Sequence, residues 1–128
     1  MELTVGASAT VVLSVAEADL ATAFGSGDVA VLATPRVVAL VEEATVRATN
    51  GSAGDPQTSV GTRVELDHLA ATPIGRTVEA TARLTEVDGR RLAFEVEVTD
   101  GATVVARGRV DRVVVDRQRF EERARQAP

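Results

Sequence analysis

A few polar side chains stand out in this 128-residue sequence because they lie in mostly apolar surroundings. Glu42 and Glu43 are adjacent within the stretch VLATPRVVALVEEATVRA at 31–48, Thr34 precedes Glu42 by eight residues, and His68 is the only histidine. A hydroxyl, a carboxylate and an imidazole are the groups that acyl transfer uses for nucleophilic attack and proton transfer. The sequence therefore raises the hypothesis of an acyl-transfer site, provided that the fold brings these groups together.

The two glutamates lie on a predicted helix. Thr34 is a suitable N-cap, Pro35 suits the first helical position, and Asn50-Gly51 is a suitable C-terminal stop, so we expect a helix to about Thr49. An apolar stripe of period 3.6 marks the side that this helix should bury. The stripe consists of Val37, Leu40, Val41, Ala44 and Ala48.

Helical geometry separates Glu42 from Glu43. At about 100° per residue, Glu43 falls at about 240° from Val37, and Arg47 four residues later predicts an exposed ion pair worth ~0.2–0.5 kcal/mol. Glu42 falls at about 140°, with valines one turn before and one turn after it and with no cation among these neighbours. Glu42 is thus either a boundary residue that reaches water or a working carboxylate.

From residue 58 onward the apolar period changes from 3.6 to 2, which predicts successive β-strands. Four strands form a predicted antiparallel meander, with an N-terminal strand at 10–15 and turns with a short helix around FGSGD. The Asp-Gly pairs at 88–89 and 100–101 predict hairpin turns, and a short polar helix follows the long last strand from about Asp116. The helix-facing rows are Val64 and Leu66; Val78, Ala80, Ala82 and Leu84; and Leu92, Phe94, Val96 and Val98.

His68 continues the row of Val64 and Leu66, so it should face the long helix. A lone histidine in an apolar row is commonly structural, with hydrogen bonds to the backbone. Alternatively, it points into the same layer as Thr34 and Glu42 and takes part in chemistry. Both readings fit the spacing. The pattern as a whole predicts an α+β fold in which one long helix covers a sheet of about five strands.

Composition excludes several classes of site and partner. The chain has no cysteine, so thiolate catalysis and cysteine-based metal sites are excluded. Its single histidine excludes a multi-histidine metal site, and we expect no cofactor. The net charge is −5 and all 14 cations are arginines spread along the chain, which argues against a nucleic-acid partner. No apolar run is long enough for a membrane span or a signal peptide, so we expect one cytoplasmic domain over 1–128.

The helix and the strands that follow it resemble hotdog-fold thioesterases of the fluoroacetyl-CoA thioesterase type over roughly residues 30–120. The most specific features are the spacing of Thr34, Glu42 and His68, the glycine Gly61 seven residues before the histidine, and the run H-x-A-x-T-P-x-G from His68 to Gly75. The resemblance implies a long helix wrapped by an antiparallel sheet. It also implies a homodimer with paired sheets and acyl-CoA sites at the subunit boundary.

By this resemblance, Thr34, Glu42 and His68 are the catalytic residues. Glu42 would attack the thioester carbonyl or activate a water for that attack, His68 would act as acid or base, and Thr34 would orient the carboxylate or bind the acyl oxygen. The helix N-terminus and the Gly61 N–H would polarise the carbonyl.

The segment before the helix departs from the family pattern. The fluoroacetyl-specific member has aromatic residues there as a gate over the acyl group, whereas GSGDVAVLA has none and Phe24 lies too early. We therefore expect a small or medium acyl-CoA as the substrate, bound against Val38 and Val46 on either side of Glu42.

Two other functions remain open from the sequence. One is a hotdog hydratase or dehydratase that acts on an enoyl thioester, and the other is a non-catalytic dimer that binds acyl-CoA or another small ligand. The CoA phosphates would be bound by arginine, the only cation available. Arg90 and Arg91 in a predicted hairpin turn are either such contacts or ordinary solvated charge.

Overall fold

A computed structural model describes residues 3–49 and 56–128 and confirms the predicted α+β class. The strands of this described part are β1 (Ser8–Ser14), β2 (Gln57–His68), β3 (Thr77–Asp88), β4 (Arg91–Asp100) and β5 (Thr103–Asp116). Its α-helices are α1 (Ala21–Phe24), α2 (Thr34–Ala48) and α3 (Arg117–Gln126), with a 3₁₀ turn at Glu17–Asp19. The predicted helix stop at Asn50-Gly51 lies outside the described residues.

The five strands form one antiparallel sheet in the order β1-β3-β4-β5-β2. The predicted four-strand meander is wrong, since only β3, β4 and β5 follow one another as hairpins. The segment 69–76 carries the chain from β2 at one edge to β3 on the far side of β4 and β5. Crossing the sheet needs a longer connection than a two-residue hairpin turn, and it leaves β2 as an edge strand.

The two hairpin turns begin one residue later than the Asp-Gly pairs suggest. Asp88 and Asp100 end their strands, so the turns consist of Gly89-Arg90 and Gly101-Ala102. Gly89 and Gly101 have φ of 59° and 57°, whereas the second turn residues do not have positive φ. This matches hairpin turns that need glycine at the first central position alone.

The core lies between α2 and one face of the sheet, which we call the inner face. The predicted rows of β3 and β4 are buried there, and so is the predicted helix stripe except Ala48, which is half-buried. Thr45, which the periodicity did not include, is also fully buried, and its hydroxyl is satisfied by donating to the Glu42 carbonyl at 2.6 Å. The polar α3 helix buries none of its residues and is capped by the Asp116 side chain. No helix within 3–49 or 56–128 is long and apolar enough to cross a membrane.

Candidate active site

Thr34 begins helix α2 but does not cap it. Ala33 has the extended backbone of an N-cap residue, with φ −71° and ψ 139°, and Thr34 already belongs to the helix. The predicted capping role is therefore wrong by one position. The Thr34 hydroxyl lies 2.7 Å from His68 Nδ1 instead. An exposed hydroxyl that bonds to an imidazole, and not to its own helix, is available for chemistry.

His68 is the last residue of β2 and lies opposite Ala106 on the inner face. The backbone N–H groups of Leu69 and Ala70 both donate to the Val105 carbonyl, at 2.7 and 3.2 Å, and fix the chain just after the histidine. Burial lowers the pKa of His68 below its ordinary value of 6.5, with a smaller opposing influence from the Ala70 backbone. The imidazole is therefore neutral at neutral pH, the state that a general base requires.

Glu42 lies beside a cation that the helix periodicity did not reveal. Arg112 Nη1 is 3.6 Å from Glu42 Oε2, and the two side chains are 7% and 37% exposed. The prediction that Glu42 has no cationic neighbour is thus wrong, because the cation comes from β5 and not from the helix. The guanidinium pairs with the carboxylate and helps to orient it, and a carboxylate can attack a carbonyl or accept a proton from water.

Arg112 is itself held in place by the neighbouring strand. Its Nε donates to Ser59 Oγ at 2.9 Å and its Nη2 donates to the Ser59 carbonyl at 3.0 Å. Burial lowers the pKa of Arg112, while the Glu42 carboxylate opposes that shift. An arginine within the inner-face row of Val110 and Val114 was the sequence feature that could have revealed this residue. Arg112 therefore presents a fixed positive charge to Glu42.

Gly61 is close to the same carboxylate because of an irregularity in β2. The pairing of β2 with β5 shifts between Gly61 and Arg63, so that Gly61 lies opposite Arg112 while His68 lies opposite Ala106. Seven residues of regular strand would place Gly61 and His68 on opposite faces, but the bulge turns both toward the inner face. A Cβ atom at Gly61 would be 2.5 Å from Glu42 Oε2, so a side chain at this position would displace the carboxylate.

The structure brings the expected site residues together as two groups and not as one. Thr34 bonds to His68, whereas Glu42 lies beside Gly61 and Arg112. Eight residues separate Thr34 and Glu42 on α2, which corresponds to about 12 Å along the helix axis. The half-buried Val38 lies between them, and Val46, one turn beyond Glu42, is 46% exposed. This helix face therefore carries one partly buried valine between the two groups and one exposed valine beyond Glu42.

The other polar residues singled out in the sequence lie on the protein surface. The predicted surface pair is confirmed, with Arg47 Nη2 at 2.9 Å from Glu43 Oε2 and both side chains exposed. In the part of the chain that the structure describes, no cluster of three histidine or acidic side chains could hold a metal ion. Arg90 and Arg91 are both exposed at the turn between β3 and β4.

Comparison with known proteins identifies similar sequences and folds. The profile of the fluoroacetyl-CoA-specific thioesterase family matches residues 15–118. The fluoroacetyl-CoA thioesterase of Streptantibioticus cattleyicolor is 40% identical over 96 residues, which are 75% of this chain and 69% of that protein.

Solved structures of fluoroacetyl-CoA thioesterase are similar over nearly the whole chain. One is 31% identical, with a TM-score of 0.92 and full coverage of both chains. A threonine-to-serine mutant in complex with acetyl-CoA is 32% identical, with a TM-score of 0.91 and coverage of 97% and 98%. The expected hotdog fold is confirmed by these matches.

Proposed function

Because the chain belongs to the fluoroacetyl-CoA-specific thioesterase family and is a thioester hydrolase, we propose that it hydrolyses a small or medium acyl-CoA at a site formed by Thr34, Glu42 and His68. The observation that carries this proposal is the 2.7 Å hydrogen bond between the Thr34 hydroxyl and His68 Nδ1. It joins His68 at the end of β2 to Thr34 at the start of α2, the helix that also carries Glu42.

Each residue has a chemical role in this proposal. The Glu42 carboxylate attacks the thioester carbonyl or takes a proton from an attacking water, and Arg112 orients that carboxylate through their ion pair. His68 transfers protons, and Thr34 binds the acyl oxygen with support from the positive end of the α2 dipole. Either route consumes one water and releases one carboxylic acid and one CoA thiol.

The separation of the two groups supports a site shared between two copies of the chain. Within one chain, Glu42 is about 12 Å along α2 from Thr34, which is too far for one carbonyl to contact both groups. Strand β2 spans 12 residues and lies at the edge of the sheet. We propose that two β2 strands pair antiparallel, centred between Val64 and Glu65. That register brings Gly61 and Glu42 of one copy level with His68 and Thr34 of the second copy.

Mixing two inactive variants tests the shared site. Glu42→Gln and His68→Ala are purified separately, allowed to exchange subunits, and assayed for thiol release. In a mixed dimer, one boundary site retains an intact glutamate and an intact histidine. Random exchange of equal amounts should therefore restore about a quarter of the wild-type activity. No restoration, with exchange verified by mass spectrometry, would mean that each site lies within one chain.

The acyl group is bound by the apolar helix face in this proposal. Val38 and Val46 offer small, branched contacts beside Glu42, and the complex of acetyl-CoA with a mutant relative supports a short acyl chain. Thiol release from acetyl-, fluoroacetyl-, butyryl- and octanoyl-CoA should be faster for the short chains than for octanoyl-CoA. Hydration of an enoyl-CoA without thiol release would instead support a hydratase. We also propose that the enzyme works in the cytoplasm, because a chain without cysteine has none of the disulfides that are typical of proteins in oxidising compartments.

A further inference from the structure

Helix α2 begins without two of the local features that commonly fix the start of a helix. The N-cap residue Ala33 makes no side-chain hydrogen bond to the helix, and the first turn of α2 contains no acidic residue. A capping side chain would satisfy a free N–H group, and an acidic residue would complement the positive end of the helix dipole. The first turn instead contains Arg36, a cation that this dipole disfavours. Another segment must therefore stabilise the turn that carries Thr34.

The carboxylate of Asp19 provides this support. Its Oδ1 accepts a hydrogen bond from Arg36 Nε at 2.9 Å, and its Oδ2 accepts one from the Ala16 N–H at 2.8 Å. The side chains of Arg36 and Asp19 are only 23% and 12% exposed, whereas those of Arg47 and Glu43 in the second ion pair of α2 are 59% and 42% exposed. Water therefore screens the Asp19–Arg36 pair much less.

The backbone of Asp19 contacts the start of α2 as well. Its carbonyl accepts a hydrogen bond from the Ala33 N–H at 2.9 Å, and the next residue, Leu20, forms an antiparallel bridge with Leu32. Asp19 thus holds the residue before Thr34 through its carbonyl, and it holds the residue two positions after Thr34 through its carboxylate. One residue outside the helix therefore fixes the chain on both sides of Thr34.

We propose that Asp19 and Arg36 are positioning residues, whose ion pair fixes the first turn of α2 so that the Thr34 hydroxyl meets His68 Nδ1 at 2.7 Å. A hydrogen bond weakens steeply when its distance or angle departs from the optimum, so a small shift of this turn would weaken the contact. The pair acts through Thr34 and not on the substrate. Its effect on the reaction rate rests on the proposed function, but its effect on the hydrogen bond does not.

Four substitutions separate the ion pair from a general effect on the helix. Asp19→Asn leaves one acceptor oxygen in place of two, so the side chain can no longer accept from both Arg36 and Ala16. Arg36→Met removes the charge and keeps a long side chain. Arg36→Lys tests rescue, because the contact is a single charged hydrogen bond and not a bidentate one. The matched control is Arg47→Met, which breaks the exposed pair with Glu43 on the same helix.

The ¹⁵N spectrum of the imidazole gives a readout that needs no activity, because His68 is the only histidine and its ring signals are unambiguous. Thr34→Val supplies the reference signal of Nδ1 without the hydroxyl. In Asp19→Asn and Arg36→Met, the Nδ1 signal should move toward this reference, whereas in Arg36→Lys and Arg47→Met it should stay near its wild-type position. An unmoved signal in folded Arg36→Met, or an equal shift in Arg47→Met, would overturn the proposal.

Thiol-release assays test whether the pair acts through Thr34. The Tm of each variant is measured first, so that all rates are compared at a temperature where every variant is folded. Arg36→Met should lower kcat about tenfold or more, because a displaced group at the reacting centre costs rate, and Arg47→Met should leave kcat nearly unchanged.

The same change in a Thr34→Val background provides the decisive comparison. There, Arg36→Met should lower the residual kcat by less than about twofold, because the group that the pair positions is already absent. An equal loss in both backgrounds would overturn the proposal and leave the pair a purely structural role. The expected Nδ1 shifts in a protein whose wild type releases no CoA would refute the proposed function alone.

Discussion

The Gly61→Ala substitution probes whether catalysis depends on the position of the Glu42 carboxylate. The added Cβ would lie 2.5 Å from Glu42 Oε2 and 3.5 Å from Arg112 Nη1. Ordinary contact between a carbon and an oxygen needs about 3.4 Å, so the carboxylate must move by about 0.9 Å. Arg112 already lies at a tolerable distance. The clash is therefore relieved by the end of a flexible, 37% exposed side chain and not by the backbone.

This geometry predicts a large effect on rate and a small effect on stability. A misplacement of about 1 Å at a reacting group can cost ~100-fold in rate, so kcat should fall by about that factor. Alanine is more favourable than glycine in a strand by about 0.5–1 kcal/mol, which offsets the expense of moving the glutamate. The free energy of unfolding should therefore change by less than about 1 kcal/mol.

Thiol release monitored with a chromogenic thiol reagent gives the rate, and chemical denaturation gives the stability. Gly27→Ala is the control, because its new Cβ would meet only Ala21 Cβ at an ordinary 3.5 Å. A Gly61→Ala enzyme that is folded and fully active would refute the reasoning. A loss of stability of several kcal/mol would show instead that Gly61 serves the fold.

Two further predictions concern the charges of the site. Arg112→Met removes the two hydrogen bonds to Ser59 and the cation beside Glu42, and this loss should lower the free energy of unfolding. The decrease should be limited to about 1–3 kcal/mol, because the partly exposed glutamate can regain contact with water. The kcat of Arg112→Met should fall as well. Urea denaturation measures the change in stability, and steady-state assays measure the change in kcat. An unchanged kcat would argue against a role for Arg112 in catalysis. Since the pKa of folded His68 lies below its ordinary value of 6.5, the unfolded chain binds the proton first as pH falls, so this residue's contribution to stability decreases between pH 6.5 and the lower folded value. The acid limb of kcat/KM should likewise lie below pH 6.5, and a limb above that pH would contradict a buried neutral imidazole.

Regular elements could be predicted from the sequence because each depends on local chemistry. The buried rows of β3 and β4 follow from strict alternation, and the buried side of α2 follows from its 3.6-residue period. Phase alone also separated Glu42 from Glu43, and the predicted pair of Glu43 with Arg47 is present. These features need no knowledge of which strands are neighbours.

The errors concern contacts between segments that are distant in the chain. The pairing of β2 with β5 is set by the whole sheet, and without it Arg112 could not be assigned to Glu42. The bulge after Gly61 breaks the period-2 rule and thereby reverses the face on which this glycine lies. Thr34 looks like an N-cap by residue type, but the nearby imidazole competes successfully for its hydroxyl.

We propose that Glu42, and not its neighbour Glu43, performs the chemistry. The adjacent glutamates offer a matched pair of isosteric changes, Glu42→Gln and Glu43→Gln, on the same turn of α2. Among the described residues, Glu43 forms an exposed ion pair with Arg47, which is worth less than about 1 kcal/mol. With acetyl-CoA as substrate, thiol release should be abolished in Glu42→Gln and nearly unchanged in Glu43→Gln. Equal loss in both variants, or loss in neither, would contradict the account.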